Sequence, residues 1–329
     1  MRSLLFVITL SAIVFLSGCD EGQAKFGVSA GDEQISVDHL RYRAIDIVRD
    51  GLVDESALVK SHAIEIVSTT GTKELMPIVT KLLKDDFAAV RFTSAVAVGD
   101  MKYSAGEYAV RRLLNDKDGN AKIAAAYALT KLGKGDFSDV VYRAIESKDQ
   151  TIRANAALLL GKLGDRKNVQ LLYRVLRDSD STDKVRIQVV EAIAMLGDER
   201  IYQSKLWPLL ISKYADDRVM GVRGMGALDT TDARNAIKTM LYDDVQEVRL
   251  CAADELGRLG DASGEAEVIE YFKKISRNPD ESSMANSMAT MAIGRIGGEA
   301  LTKLLPGFLQ SRSKLIRLTA AQSVLLLTR

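Results

Sequence analysis

From Val37 onward the chain repeats one arrangement of apolar and polar positions roughly every thirty-two residues. Each unit reads as two helices. The first carries apolar residues at helical spacing and runs into an acidic turn, as in LMPIVTKLLKDD (75–86), EYAVRRLLNDKD (107–118), VQLLYRVLRDSD (169–180) and ARNAIKTMLYDD (233–244). The second opens with an apolar and then a basic residue. A pair of alanines follows, and the helix often closes on LGxLGD, as in IRANAALLLGKLGD (152–165) and VRLCAADELGRLGD (248–261).

The basic residue is a convenient marker of register. It falls at Lys60, Arg91, Lys122, Arg153, Arg186, Arg249 and Arg317, with Met220 and Asn286 in its place in two degenerate copies. Nine units fill residues 37–329 on this reading. A period of this size predicts a solenoid, in which each unit packs only on its neighbours. The alanine pairs 156/157, 252/253 and 320/321 let adjacent helices approach closely. Gly161, Gly164, Gly257 and Gly260 suit close helix contact or a left-handed stop, and Asp165, Asp198 and Asp261 stand where the next helix needs an N-cap.

These units resemble HEAT repeats, most closely the short form named after phycobilisome lyases. The resemblance implies an all-α, right-handed α-solenoid whose second helices line a concave side, with Arg and Asp of the turns bonded across adjacent units. Arg91, Arg153, Arg186, Arg249 and Arg317 stand at that Arg position, whereas Met220 and Asn286 predict a ladder broken in the sixth and eighth units. Nine units stacked at about 8–10 Å each predict a curved rod about 80–90 Å long. The last unit, LIRLTAAQSVLLLTR, ends apolar with no polar helix behind it, which predicts self-association or docking through that end.

The first residues form an address. MRSLLFVITLSAIVFLSGC has one basic residue, Arg2, and an uncharged apolar run from Leu4 to Leu16, too short as a helix for the ~30 Å hydrocarbon core. Leu16-Ser17-Gly18-Cys19 resembles the lipobox of bacterial lipoproteins. That resemblance implies cleavage after residue 18 and acylation of Cys19, with anchoring to a membrane outside the bacterial cytoplasm. Residues 19–36 then read as the acylated cysteine and a polar tether of roughly 20–25 Å, and 37–329 as the solenoid.

Charge and chemistry narrow the function. The formal net charge is +1, and loss of residues 1–18 removes Arg2 and no acid, so no global field gathers nucleic acid. Two cysteines make no disulfide framework, and Cys251, flanked by Leu250 and Ala252, reads as a buried filler. DSDSTD (178–183) and DKDGN (116–120) begin like calcium loops but lack the Gly and the bidentate Glu of one, so they read as caps. His39-Leu40 and His62-Ala63 lack the His-Glu pairs with which the HEAT-repeat deoxyhypusine hydroxylases hold iron. No catalytic group, metal site or cofactor is expected. The phycobilisome-lyase resemblance leaves a lyase-like or tetrapyrrole-binding role as the alternative to a scaffold.

The expected role is protein or peptide binding along the concave face. The register assigned to that face comprises Glu65, Tyr127, Lys131, Asn155, Lys162, Gln188, Glu191, Asp254, Arg258, Met288, Met291 and Arg295. Replacing Tyr127 and Lys131 together is expected to weaken partner capture without lowering the melting temperature. Met284, Met288 and Met291 share one helical face, which reads as adaptable packing or partner contact in preference to a copper site.

Overall fold

A computed structural model describes residues 37–275 and 284–329; the address and tether lie outside the described residues. Among the described residues every regular element is helical. α1 (Val37–Leu52) begins the solenoid. The second helices of the units are α2 (Ala57–Thr70), α3 (Ala88–Asp100), α4 (Gly119–Lys131), α5 (Gln150–Leu163), α6 (Asp183–Met195), α7 (Ala215–Leu228), α8 (Gln246–Arg258), α9 (Met284–Ile296) and α10 (Lys314–Leu327). Shorter outer helices such as Glu107–Leu113, Val169–Arg177 and Thr231–Thr239 connect them.

Local chemistry explains these boundaries. α5 starts at Asp149, whose carboxylate accepts from the backbone N–H of Thr151 and Ile152, and stops at Gly164, which takes φ 78°. Such a cap contributes about 1 kcal/mol. Asp165, Asp198 and Asp261 each accept the N–H two residues on, opening the next outer segment. Between its ends α5 buries Ala154, Ala156, Ala157, Leu159 and Leu160, each worth more to folding than its helix propensity.

The helices α2 to α10 lie side by side in chain order, each packed on the next, and α10 then packs back on α1 and α2. The expected rod is therefore a closed ring. Small residues on the second helices produce the curvature. A Cβ on Gly161 of α5 would lie 3.0 Å from Ala192 Cα of α6, so backbones nearly touch there. A Cβ on Gly99 would likewise lie 2.9 Å from Ala128 Cα, in the same position two ring segments earlier. The outer helices carry full-sized side chains, such as Leu171, Leu172 and Val175, and stay further apart. A per-unit turn of about 40° repeated nine times completes the circle.

Closure also disposes of the uncovered terminal face. Leu318 of α10 is 2% exposed and sits against Gly51 of α1. Lys314 pairs with Asp54, Gln322 donates to Thr69 Oγ1 at 3.1 Å, and Arg41 donates to the carbonyl and hydroxyl of Thr328 at 3.0 and 3.1 Å. The first and last units cap one another, so the basis for self-association through the C-terminal unit is gone. One apolar cluster runs from Leu40 to Leu325 around the ring.

Candidate functional site

The turns between outer and second helices carry a ladder of ion pairs at a constant separation of twenty-five residues: Lys60–Asp85, Arg91–Asp116, Arg153–Asp178 and Arg218–Asp243. Arg91 grips Asp116 with two bonds of 2.8 Å and donates to the carbonyls of Asp85 and Asp86, tying its own turn to the next. Bonds from Arg91 hold the Asp116 carboxyl below the usual carboxylate range, although burial pushes it the other way.

Arg218 corrects the register read from the sequence. It reaches Asp243 at 2.7 and 2.8 Å, Asp244 at 2.8 Å and the Ser212 carbonyl at 3.0 Å. The sixth unit is intact, and Met220, two residues later, never was its marker. The ladder breaks instead at Lys122, where the residue twenty-five positions on is Ser147, and at Arg186, whose nearest carboxylate is Asp183 on its own helix at 3.9 Å and which otherwise donates to the Asp178 carbonyl. The residue twenty-five positions on is Ile211, which offers no carboxylate. Arg249 turns to Glu267 of the outer helix Glu265–Ile275 at 2.8 Å. Arg317, in the last unit, donates to the carbonyls of Ser311 and Arg312. At the marker position of α9, Asn286 Oδ1 accepts from Tyr271 Oη.

The residues assigned to an open concave face behave differently from that expectation. None of them is exposed, and Tyr127, Gln188, Met288 and Met291 are buried. Ring closure turns the inner register into a hub of polar groups, several of them paired with one another, while Asp254 Oδ1 keeps no hydrogen-bond partner. Tyr127 Oη donates to Asp100, which also pairs with Lys162 at 3.0 Å. Gln188 donates to Glu191 at 2.7 Å, Arg258 to Glu255 at 2.7 Å, Asn155 to Asn120 at 2.9 Å, and Arg295 pairs with Asp254 at 2.5 Å. Lys131 is half-buried at the end of α4. Met284 remains exposed at the start of α9, so the methionine stripe is divided between surface and core.

The slipped register hid one hub member. Arg223, five residues after Arg218, occupies the position of Glu65, Tyr127 and Asp254 and lies within electrostatic reach of Cys251, Glu255, Glu191 and Asp254. Burial raises the Glu65 carboxyl to about 8, opposed by the charge of Lys162, and raises Asp254 to about 6 against the pull of Arg295. Burial lowers His62 to about 4. Because Lys162 sits on α5 and Glu65 on α2, charge acts across the interior as well as between neighbours. Cys251 is 2% exposed, and burial pushes its thiol up to about 12, the opposite of an activated nucleophile. Among the described residues no three His, Cys, Asp or Glu side chains gather as a metal cage, and no helix is long and apolar enough to cross a membrane.

Apolar side chains are exposed at several places on the ring, among them Tyr42 on α1 and Tyr108 on the outer helix Glu107–Leu113. Val53, Leu58, Phe87, Ile211, Tyr214 and Tyr242 are exposed, and all six lie in or beside the turns that lead into second helices, on the rim that carries the ladder. The apolar repeat does not reveal them, because they lie outside its core-facing positions. A signal exists nonetheless: Phe87 and Tyr214 occupy N-cap positions that hold Asp118 and Asp149 in other units.

Residues 45–130 and 137–212 match the family model described as HEAT repeats. Both segments are HEAT repeats. The architecture of paired helices continues beyond them through α10. A comparison with curated proteins gives no match. Among solved structures, this ring is similar to the complex of CpcE and CpcF of phycocyanin lyase from Nostoc sp. PCC7120, with 13% identity, 85% of this chain and 98% of that chain covered, and a TM-score of 0.44. It is also similar to human deoxyhypusine hydroxylase in complex with glycerol, with 15% identity, 90% and 99% covered, and a TM-score of 0.37. A third likeness is to Kap121p, with 14% identity, 85% and 37% covered, and a TM-score of 0.32.

Proposed function

We propose that the chain is a lipid-anchored, non-enzymatic scaffold of a bacterial cell envelope that binds a partner protein on the rim of its ring. The observation carrying this reading is the set of six exposed apolar side chains in the rim turns, from Val53 to Tyr242. Exposed aromatic and aliphatic groups clustered on a rigid scaffold are a recognised basis of protein association. The hub residues, by contrast, are buried or half-buried. The anchor rests on Leu16-Ser17-Gly18-Cys19 and the apolar run before it.

Two measurements test the two halves of the reading. Mass spectrometry of the membrane-extracted protein should find Cys19 acylated at the new N-terminus, and Cys19→Ala should release the chain from membranes. A photo-crosslinking amino acid at Val53 or Tyr242 should capture one recurrent protein, while the same group at the buried Leu172 should not. Recovery of the chain without any rim crosslink rejects the scaffold role.

A further inference from the structure

Two adjacent rim turns are joined by one arginine. Arg218 donates to the Ser212 carbonyl on one side and to the carboxylates of Asp243 and Asp244 on the other, so the turn 211–214 is clamped beside the turn 242–245. The clamp displays Ile211, Tyr214 and Tyr242, which are 66%, 60% and 89% exposed. Ile211 and Tyr242 hold equivalent places in successive units, seven residues before Arg218 and Arg249. Tyr214 is the N-cap residue of α7 and makes no side-chain cap bond, and Val245, the N-cap residue of α8, makes none either. In α4 and α5 the same position holds an aspartate that caps the helix. The N-cap residues of α2, α3 and α6 make no such bond either, so what distinguishes this pair of turns is the exposure of Ile211, Tyr214 and Tyr242 side by side.

The charge around these rings has one predominant sign. Asp216, Asp244 and Glu247 are exposed in the first turns of α7 and α8 or just before them, and the Asp244 side chain is almost fully open to solvent although it touches Arg218. The cations of the patch are occupied or few: Arg218 is held by Asp243 and Asp244, Arg249 by Glu267, and Lys213 lies over the Tyr214 ring at 4.8 Å from its centre. Two phenol rings and an isoleucine bordered by three exposed carboxylates complement a chain segment with apolar side chains next to lysine or arginine. The Tyr242 ring, 89% exposed, attracts such cations directly, and the carboxylates select them over acidic competitors.

We infer that the paired turns 211–217 and 242–247 bind a basic, partly apolar peptide segment of the partner protein. This rests on the scaffold reading and narrows it to one surface and one partner chemistry. The patch uses surface turns of a rigid clamp, so its replacement leaves the ring intact.

The test is selection of random peptides displayed on phage against the full mature chain, followed by fluorescence anisotropy of the enriched peptides. Enriched sequences should combine lysine or arginine with apolar residues. Their Kd should rise about tenfold or more in a Tyr214→Ser, Tyr242→Ser double variant, and rise in Asp244→Asn, Glu247→Gln with loss of salt dependence. A Tyr42→Ser, Tyr108→Ser variant, altered on exposed positions of outer helices away from the rim turns, should bind like the parent. Unchanged melting temperatures confirm that each variant is folded. Enrichment of acidic or uncharged peptides overturns the inference, as does equal binding by the Tyr214/Tyr242 variant, while the scaffold reading survives. If no peptide is enriched, both fall.

Discussion

Leu318 of the last helix rests against Gly51 of the first, with its Cδ2 only 2.9 Å from where a Cβ on that glycine would stand. This contact joins the two ends of the chain. Gly51→Leu should therefore push α10 away from α1, lowering stability by about 1–3 kcal/mol and increasing the radius of gyration. Denaturant unfolding and small-angle X-ray scattering measure the two effects. A variant as stable and as small as the parent would mean that the seam does not hold the ring.

The ladder predicts an asymmetry between two arginines that look alike in sequence. Arg218→Met leaves the buried Asp243 carboxylate without its partner and should cost about 3 kcal/mol. Arg186→Met removes no pair across units and should cost under about 1 kcal/mol. Chemical denaturation of the two variants side by side decides the matter, and equal losses would contradict the ladder assignment.

Tyr127 is wholly buried and bonded to Asp100, so its role is in the hub. Tyr127→Ala should lower stability by about 3–5 kcal/mol, contrary to what an exposed groove residue would do. Differential scanning calorimetry reads this directly. An unchanged melting temperature would return Tyr127 to the surface.

Glu65 gives the ring a pH dependence of definite sign. Its carboxyl titrates near 8 when folded and near 4.5 when unfolded, so between those values the folded state holds the extra proton. Stability contributed by the protonated form is present at low pH and is lost as pH rises from about 4.5 to about 8. Glu65→Gln should match the parent near pH 4 and exceed it at pH 8. Melting temperatures across that range check this, and a variant difference that fails to grow with pH would remove Glu65 from the interior.

Cys251 should resist thiol reagents in the folded chain and react on unfolding, since burial lifts its thiol to about 12. Ellman's reagent on the Cys19→Ala variant, with and without guanidinium, measures it. Rapid labelling of the native protein would contradict the packing of α8 on its neighbours.

Much of the architecture was legible from residue pattern alone. The thirty-odd-residue period, the alanine pairs, Gly164 and the acidic turns are local devices, and local devices set helix limits whatever lies around them. They led correctly to an all-helical solenoid. The position of the sixth marker was misread because DDRVMGVRG (216–224) offers Arg218, Met220 and Arg223 within six residues, and only the reach of Arg218 to Asp243 identifies which one belongs to the ladder.

Three further matters depended on the tertiary structure. Whether nine units make a rod or a ring depends on the turn per unit, a sum of small packing offsets such as Gly161 against Ala192 that no single segment encodes. Once the ring closes, the inner register that periodicity marks as solvent-facing becomes a hub, and Glu65, Tyr127 and Asp254 change from surface groups to interior ones. The same closure covers the apolar end of the solenoid and leaves the exposed side chains of the rim turns open to a partner. Sequence by itself determined the helices and their caps, because those follow from neighbours a few residues apart; the ring, its charged interior and its exposed rim arose only when residues hundreds of positions apart met.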